Sequence, residues 1–404
     1  MNKIEREKAI RVKLIKDKNV YVCDLAKELG VTTRTIRNDL KELNLHSNCE
    51  LFHGGAMLVE TQEESLFEKP VLNSILKGLG KNTSNDCSIA PQQQKEGLND
   101  GGIYILGSFN VDIVSETMTL PQIGQTIRSS STNFYAGGKG TNQAVAAAKI
   151  NNNVHLAIKL GMDEFSEKAR KYITNTEISS FTIFENAIAS TGIAIVWVSN
   201  ATGDNMITID LGANETFTQE DILFDIEIIQ KCKVFLTQLE NNFPITRFAI
   251  MQAKLFQSLV VVNPAPYVSE VKEILHLIDI ITPNKVEAEA LSGLLITDID
   301  SAKLAAKRIH DQGAKCVIIT LGNHGCLLFD GEIFTCVPAY KSAVIDTSGA
   351  GDAFTGALAA CIANGKKLLD SVMYASAFAS LKVERKGASN MPNSSLVYHR
   401  MQRQ

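Results

Sequence analysis

From residue 101 onward the chain alternates apolar, β-prone runs with helical stretches, and this alternation limits the folds open to it more than any other feature. Residues 103–112 read as a buried strand that breaks into a polar loop. Further runs fall at 193–198, 234–239, 259–262, 278–281 and 316–320. The clearest helical stretches are 144–150, 220–230, 300–312 and 353–363. Strands spaced by helices pair most readily as parallel neighbours, so an α/β domain around a mostly parallel sheet is expected. Ligands of such sheets gather beyond the C-terminal ends of the strands. Polar residues stand at those ends: Asn110 and Asp112, Glu240, Asn284, and the loop Thr320-Leu-Gly-Asn-His-Gly325. Each alone has an ordinary reading as a cap, a turn or a surface acid.

The segment Asp346-Thr-Ser-Gly-Ala-Gly-Asp352 leads into an apolar, small-residue helix. Backbone N–H groups at such a helix start hold developing negative charge, helped by the helix dipole. Asp352 stands at the same start, placed to take a proton from a hydroxyl in front of the anion hole. An anion cradle beside a carboxylate base suits phosphoryl transfer to an alcohol, whereas the segment alone also reads as a Gly-rich turn capped by Asp. A second loop, Tyr135-Ala-Gly-Gly-Lys-Gly-Thr-Asn142, opens an Ala-rich helix and lacks the spacing of a Walker A loop.

Charge divides the chain. Net charge is −4 overall, but residues 1–45 carry +4 and the remainder −8, which points to two kinds of partner. Residues 4–15 read as an amphipathic helix, 21–30 as a second helix ending at Gly30, and 31–43 as a third with a Thr cap. On the third, Ile36, Leu40 and Leu43 share one face, while Arg34, Arg37 and Lys41 share another, with Thr32, Thr33 and Thr35 near its start. That is a helix-turn-helix pattern whose second helix suits a DNA major groove, set against a small bundle with a solvated basic face. Residues 1–60 are therefore assigned to a DNA-binding head, 61–100 to a polar, flexible linker, and 101–404 to the α/β body.

The eight cysteines are scattered without a C-x-x-C pair, so neither a disulfide framework nor a zinc site is indicated. The first residues are charged, and no apolar run is long enough to span a bilayer, so a cytoplasmic protein with no membrane partner is expected.

Two resemblances sharpen these readings. Leu25-Ala-Lys-Glu-Leu-Gly-Val31, Thr35-Ile-Arg-Asn-Asp-Leu40 and His53-Gly-Gly-Ala56 resemble the winged helix-turn-helix of DeoR-type repressors across residues 4–58. The wing departs from that pattern, with Glu50 and Leu51 where a positive charge normally meets DNA. Gly137-Gly-Lys-Gly-Thr-Asn-Gln-Ala144 and Asp346–Phe354, with Asn263-Pro-Ala-Pro266 and Thr282-Pro-Asn284…Glu287 between them, resemble the ribokinase branch of the PfkB-type carbohydrate kinases across about residues 102–395.

The second resemblance implies a ribokinase-like three-layer sandwich with a small β lid, a homodimer, and phosphorylation of D-ribose by ATP. It places the sugar on Asn110, Val111, Asp112, Gly138, Lys139, Gly140, Thr141, Asn142, Glu240 and Asp352. Asp352 would be the base, and Gly349, Ala350 and Gly351 the anion hole. ATP would meet Asn284, Thr320, Leu321, Gly322, Asn323, His324, Gly325, Gly351, Asp352 and Ser376, with Mg²⁺ placed through waters by Asn284 and Glu287. A K⁺ ion would be held at Asp346, Ser348, Lys382, Arg385, Gly387 and Met391, where Met391 replaces the usual Ser hydroxyl and Ser376 a larger polar side chain. Two other readings stand beside this one: a transcription regulator whose kinase fold only senses sugar, and a kinase for deoxyribose, fructose or a nucleoside.

Overall fold

The computed structural model describes residues 6, 10, 13, 19–46, 49–52, 55–58, 92–94, 99, 101–202 and 204–402. The chain divides into two compact units, a small N-terminal one and a large one.

In the small unit, residues 6, 10 and 13 are helical, and the rest of the helix expected over 4–15 lies outside the described residues. Strand β1 (Asn19–Tyr21), helices α1 (Val22–Glu28) and α2 (Thr33–His46), and strands β2 (Cys49–Phe52) and β3 (Gly55–Leu58) follow. Strand β3 pairs antiparallel with both β1 and β2, so the segment after α2 is a wing. Ile10, Val20, Leu25, Ile36 and Leu40 form the core, each contributing about 1.5–3 kcal/mol of burial. The Thr35 N–H donates to the Thr32 hydroxyl at 3.2 Å and caps α2. Arg6 donates to both carboxylate oxygens of the buried Asp39, at 2.9 and 3.2 Å, and so ties the first helix to α2.

In the large unit, β4 (Gln92–Gln94), β5 (Gly102–Leu106), β6 (Asn110–Thr117), β7 (Ser129–Gly137), β8 (Val154–Gly161), β9 (Ser180–Asn186), β10 (Gly192–Ser199) and β11 (Asn205–Asp210) come first. They are followed by β12 (Cys232–Thr237), β13 (Leu259–Val262), β14 (Ile280–Ile281), β15 (Cys316–Thr320), β16 (Cys326–Phe329) and β17 (Phe334–Val337). Among the described residues ten of these form one sheet, in the order β17-β16-β15-β14-β13-β12-β5-β8-β9-β4. From β15 to β9 every pairing is parallel. Strands β5 and β8 are buried at every residue, which is why they read as unbroken apolar runs rather than alternating ones.

Four helices bear on the site: α3 (Lys139–Ala148), α8 (Lys285–Ser292), α10 (Ala350–Ala363) and α11 (Leu368–Lys382). The others are α4 (Glu164–Thr174), α5 (Gln219–Phe224), α6 (Ile226–Lys231), α7 (Phe243–Leu255), α9 (Ile299–Asp311) and α12 (Ser395–Gln402). No helix among the described residues is long and apolar enough to cross a membrane.

The structure corrects four expectations. Asn110 and Asp112 do not sit in a loop; they begin β6, which belongs to a second, four-stranded sheet ordered β11-β10-β6-β7. The run at 193–198 is β10 of that same sheet, paired with β6 rather than with the central strands. The stretch at 220–230 is broken at Asp225, whose buried carboxylate accepts the Tyr104 hydroxyl at 2.9 Å and the Thr182 hydroxyl at 2.9 Å from two central strands. Gln92–Gln94, within the segment read as linker, pairs antiparallel with β9 as an edge strand. The remaining linker readings, over 61–91, 95–98 and 100, lie outside the described residues.

Candidate active site

Strand β5 lies between β12 and β8, so the chain order reverses there, and crevices open at the C-terminal ends of strands around such a switch point. Those ends carry Ser108 after β5, Glu240 after β12, Asn263 after β13, Thr282 and Asn284 after β14, and Thr320 at the end of β15.

Helix α10 starts at Gly349, whose φ of +72° and contact with the Ala388 carbonyl leave no place for a side chain: a Cβ would lie 2.3 Å from that oxygen. The first-turn N–H groups of such a helix lack intrahelical partners, although that of Ala350 turns back to Thr347 O at 3.2 Å. Asp352, in the first turn, is buried. Helix α10 packs on α3 through Gly356, where a Cβ would sit 2.3 Å from the Gln143 carbonyl oxygen. That close approach brings two amides to Asp352: Asn142 Nδ2 donates to Oδ2 at 3.0 Å and Gln143 Nε2 to Oδ1 at 3.0 Å. Gln143 is held in turn, donating to Asn263 Oδ1 at 3.1 Å and accepting from Gln238 Nε2 at 2.7 Å. The carboxylate is thereby oriented by donors and given no competing acceptor. Among the described residues Asn142 Oδ1 is buried without a hydrogen-bond partner, an acceptor suited to a ligand that brings hydroxyl groups.

A second carboxylate, Glu240, accepts the backbone N–H of Lys139 at 2.9 Å and the Ser108 hydroxyl. Ser108 also accepts the Gly140 N–H at 3.2 Å, and its carbonyl accepts the Thr141 hydroxyl at 2.7 Å. Asn110 Oδ1 accepts from Asn214 Nδ2 at 3.0 Å, while the Val111 side chain is buried in the core. Gly138 caps α3 with φ of +91°.

Charge in the site is concentrated. Burial, and then the nearby Glu240 and Asp352, push the Asp112 carboxyl up to about 7, against the pull of Lys139. Burial likewise raises Glu240 and Glu287, with Lys139 opposing in both. Burial disfavours the Lys139 ammonium, but Asp352, Glu240, Glu287 and Asp112 together outweigh it and raise its pKa. Lys139 is thus a cation in the field of four acids.

A pocket of about 170 Å³ is lined by Lys139, Asn284, Glu287, Thr320, Gly349, Ala350, Gly351 and Asp352, together with Asn263, Thr282, Thr347 and Thr355. Asn284 and Glu287 form a reciprocal capping box at the start of α8, with Glu287 N donating to Asn284 Oδ1 at 2.9 Å and Asn284 N to Glu287 Oε2 at 2.9 Å. Among the described residues no three His, Cys, Asp or Glu side chains cluster to cage a metal. One buried carboxylate and one amide in the pocket wall fit a hydrated Mg²⁺ that arrives on phosphates.

Of the residues expected at ATP, Leu321, Gly322, Asn323, His324, Gly325 and Ser376 do not line this pocket. Gly322–His324 form an exposed 3₁₀ turn between β15 and β16, closed by Leu321 N to Gly325 O at 2.8 Å, and Ser376 is half-buried on α11. The residues expected at K⁺ do come together. Asp346 accepts the N–H groups of Ser348 and Gly387, each at 2.8 Å. Their donor set does not suit a bound cation, however: Arg385 O accepts the Lys382 ammonium at 3.3 Å, and Met391 O accepts the Arg385 guanidinium at 3.4 Å. In the small unit Thr32, Thr33, Arg34, Arg37 and Lys41 are exposed on and beside α2, and Thr35 is half-buried with its hydroxyl 2.9 Å from that of Thr32.

Sequence reasoning passed over Gln143, Ser108 and Asn214, which orient Asp352, Glu240 and Asn110. Gln143 lies inside the Gly137–Ala144 motif, so its place next to Asn142 was the available signal. Ser108 and Asn214 carried no local one, since Asn214 reaches Asn110 from 104 residues away.

The chain matches the family model for pfkB family carbohydrate kinases over residues 102–395 and that for the DeoR-like helix-turn-helix domain over residues 6–62. It is similar to a deoxyribokinase of Salmonella typhimurium, 33% identical over 289 residues that cover 71% of this chain and 94% of that protein. A ribokinase of Staphylococcus aureus is 35% identical over 288 residues, covering 71% of this chain and 94% of that one. Among solved structures, ribokinase from Thermotoga maritima superposes with a TM-score of 0.68 at 32% identity, over 74% of this chain and 99% of that one. Arabidopsis thaliana ribokinase complexed with ribose and ATP gives 0.66 at 29% identity, over 76% and 99%.

Proposed function

Because the chain belongs to the pfkB family of carbohydrate kinases and carries an N-terminal DeoR-like helix-turn-helix domain, we propose that it phosphorylates D-ribose at O5 with ATP and binds DNA through residues 1–60. The observation that carries the kinase reading is Asp352, fixed by Asn142 and Gln143 at the mouth of a helix beside Gly349–Gly351 and Lys139.

In this reading Asn110, Asp112, Asn142 and Glu240 bind the sugar hydroxyls, since amides and carboxylates can each bridge two of them. Asp352 accepts the proton of the primary hydroxyl, which makes that oxygen the nucleophile. The N–H groups at the start of α10 and the Lys139 ammonium neutralise charge on the phosphoryl group as it moves in line. Asn284 and Glu287 would hold Mg²⁺ through waters, and that ion would neutralise the phosphate oxygens. Thr320 and the 321–325 segment, with its exposed Gly322–His324 turn, would support the nucleotide, with Ser376 beyond them. The exposed Arg34, Arg37 and Lys41 would meet phosphates or bases in a major groove. A homodimer suits both units, and Phe134, Ile195 and Met206 stand exposed on one face of the four-stranded sheet.

The 33% identical deoxyribokinase supports a second reading, with 2-deoxyribose as the acceptor. ATP-dependent turnover across a sugar panel, on wild type and Asp352→Asn, tests both. Turnover on ribose with the higher kcat/KM, abolished in Asp352→Asn, is the expected result. A higher kcat/KM on 2-deoxyribose would replace the acceptor. Absence of turnover on every sugar would leave a sugar-sensing regulator.

A further inference from the structure

Lys382, the last residue of α11, has none of its surface exposed, and among the described residues its ammonium makes one hydrogen bond, to Arg385 O at 3.3 Å. A lysine in that state is costly, because an ammonium has three donors and loses its hydration when buried. An apolar side chain of similar length would fill the space without that cost. What the ammonium faces is therefore informative. Burial lowers its pKa, the negative charges of Asp346 and Asp352 oppose that, and the neighbouring Arg385 cation adds to it.

Asp346 opens the loop that ends in the anion hole, and that loop is stitched to the chain after α11 at several points. Ile345 N and Asp346 N donate to Val383 O at 2.7 and 3.0 Å, and Gly387 N donates to Asp346 Oδ2 at 2.8 Å. Gly349 is pressed against the Ala388 carbonyl. Four carbonyl oxygens of this junction already accept a donor: Lys382 O from Arg385 N at 2.9 Å, Arg385 O from the ammonium, Gly387 O from Asn390 N at 3.2 Å, and Met391 O from the Arg385 guanidinium. The buried thioether of Met391 adds no hard ligand.

We propose that Lys382 is a positioning residue whose ammonium supplies, from within the chain, the positive charge behind the anion loop that a K⁺ ion would otherwise bring, so that phosphoryl transfer proceeds without a monovalent cation. The charge sits at the junction, not in the pocket, and acts by holding the Asp346–Gly351 loop against the 383–388 segment with its N–H groups set for the phosphoryl group. This inference rests on the kinase reading above.

The test is phosphorylation by the full chain in choline chloride and in KCl at equal ionic strength, with ADP separated directly and no coupling enzyme. Wild-type kcat is expected to agree within about twofold between the two salts. Lys382→Met, which fills the space without charge, is expected to lose about 100-fold in kcat in either salt. Lys382→Ala is expected to lose as much in choline and to recover at least about tenfold in KCl, a rescue that a merely structural role would not give. Thermal melting gives a readout free of turnover: KCl should raise the melting temperature of Lys382→Ala relative to choline and leave wild type and Lys382→Met unmoved. Saturable activation or stabilisation of wild type by KCl would overturn the proposal, as would wild-type kcat in Lys382→Met. If wild type turns over no sugar, the kinase reading fails, and the melting comparison still decides whether Lys382 stands in the place of a cation.

Discussion

Replacing Asp112 by asparagine probes the electrostatics of the site through folding rather than turnover. Burial first, then Glu240 and Asp352, lift this carboxyl from 3.8 to about 7. The unfolded chain therefore releases the proton at lower pH than the folded one. The favourable contribution of the protonated form is full below about 3.8 and is lost as pH rises through about 7. At about 1.4 kcal/mol per pH unit, the gap between 3.8 and about 7 corresponds to a ceiling of about 4 kcal/mol, which the partial exposure of Asp112 reduces to about 2 kcal/mol. Asparagine keeps the shape and removes the titration. Asp112→Asn should then match wild type near pH 4 and exceed it by about 2 kcal/mol near pH 8, or about 5 °C in the melting of the large unit. Calorimetry of the sugar-free full chain at several pH values reads this difference directly. A gain of the same size at both ends of the range, or a lower melting temperature for the variant near pH 8, would refute the reasoning. Saturating ribose should stabilise wild type and do little for the variant, because a neutral amide accepts hydroxyls more weakly than a carboxylate.

Three further outcomes follow from particular contacts. Gln143→Met removes an amide donor from Asp352 and takes away the partners of Gln238 Nε2 and Asn263 Oδ1, so kcat should fall by about tenfold or more with a smaller change in sugar KM; unaltered kcat would mean that Asn142 alone orients the base. Gly356→Ala forces a Cβ to within 2.3 Å of the Gln143 carbonyl oxygen and 2.8 Å of the Ala146 Cβ, which should cost about 1–3 kcal/mol in denaturant unfolding and lower kcat as α3 and α10 separate; an unchanged midpoint would refute the tight crossing. In the small unit, Arg34→Ala and Arg37→Ala should each weaken binding to the cognate operator and reduce the salt dependence of log K by about one contact, measured by fluorescence anisotropy; the same slope in both variants would remove α2 from the DNA interface.

What could be read from the sequence is what depends on near neighbours in the chain. Central strands buried on both faces appear as apolar runs, the Gly349–Gly351 turn announces a helix start, and the spacing of Ile36 and Leu40 marks the core face of α2. The positions of Glu240, Asn284 and Thr320 at strand ends follow from the same local pattern. Tertiary structure decided which of these residues meet. Asn142 reaches Asp352 across 210 residues because Gly356 lets two helices touch, and no local signal encodes that crossing. Asp112 joined a second sheet because its strand pairs with β10, some eighty positions on. The helix expected over 220–230 broke because Asp225 is claimed by Tyr104 and Thr182 from strands distant in the chain. Lys382 reads as the basic last turn of a helix, and packing alone seals its ammonium behind the anion loop. Secondary structure here follows from short-range sterics and burial periodicity. Charge, hydrogen-bond partnership and access to water at the site are properties of groups brought together only when the strands take their order.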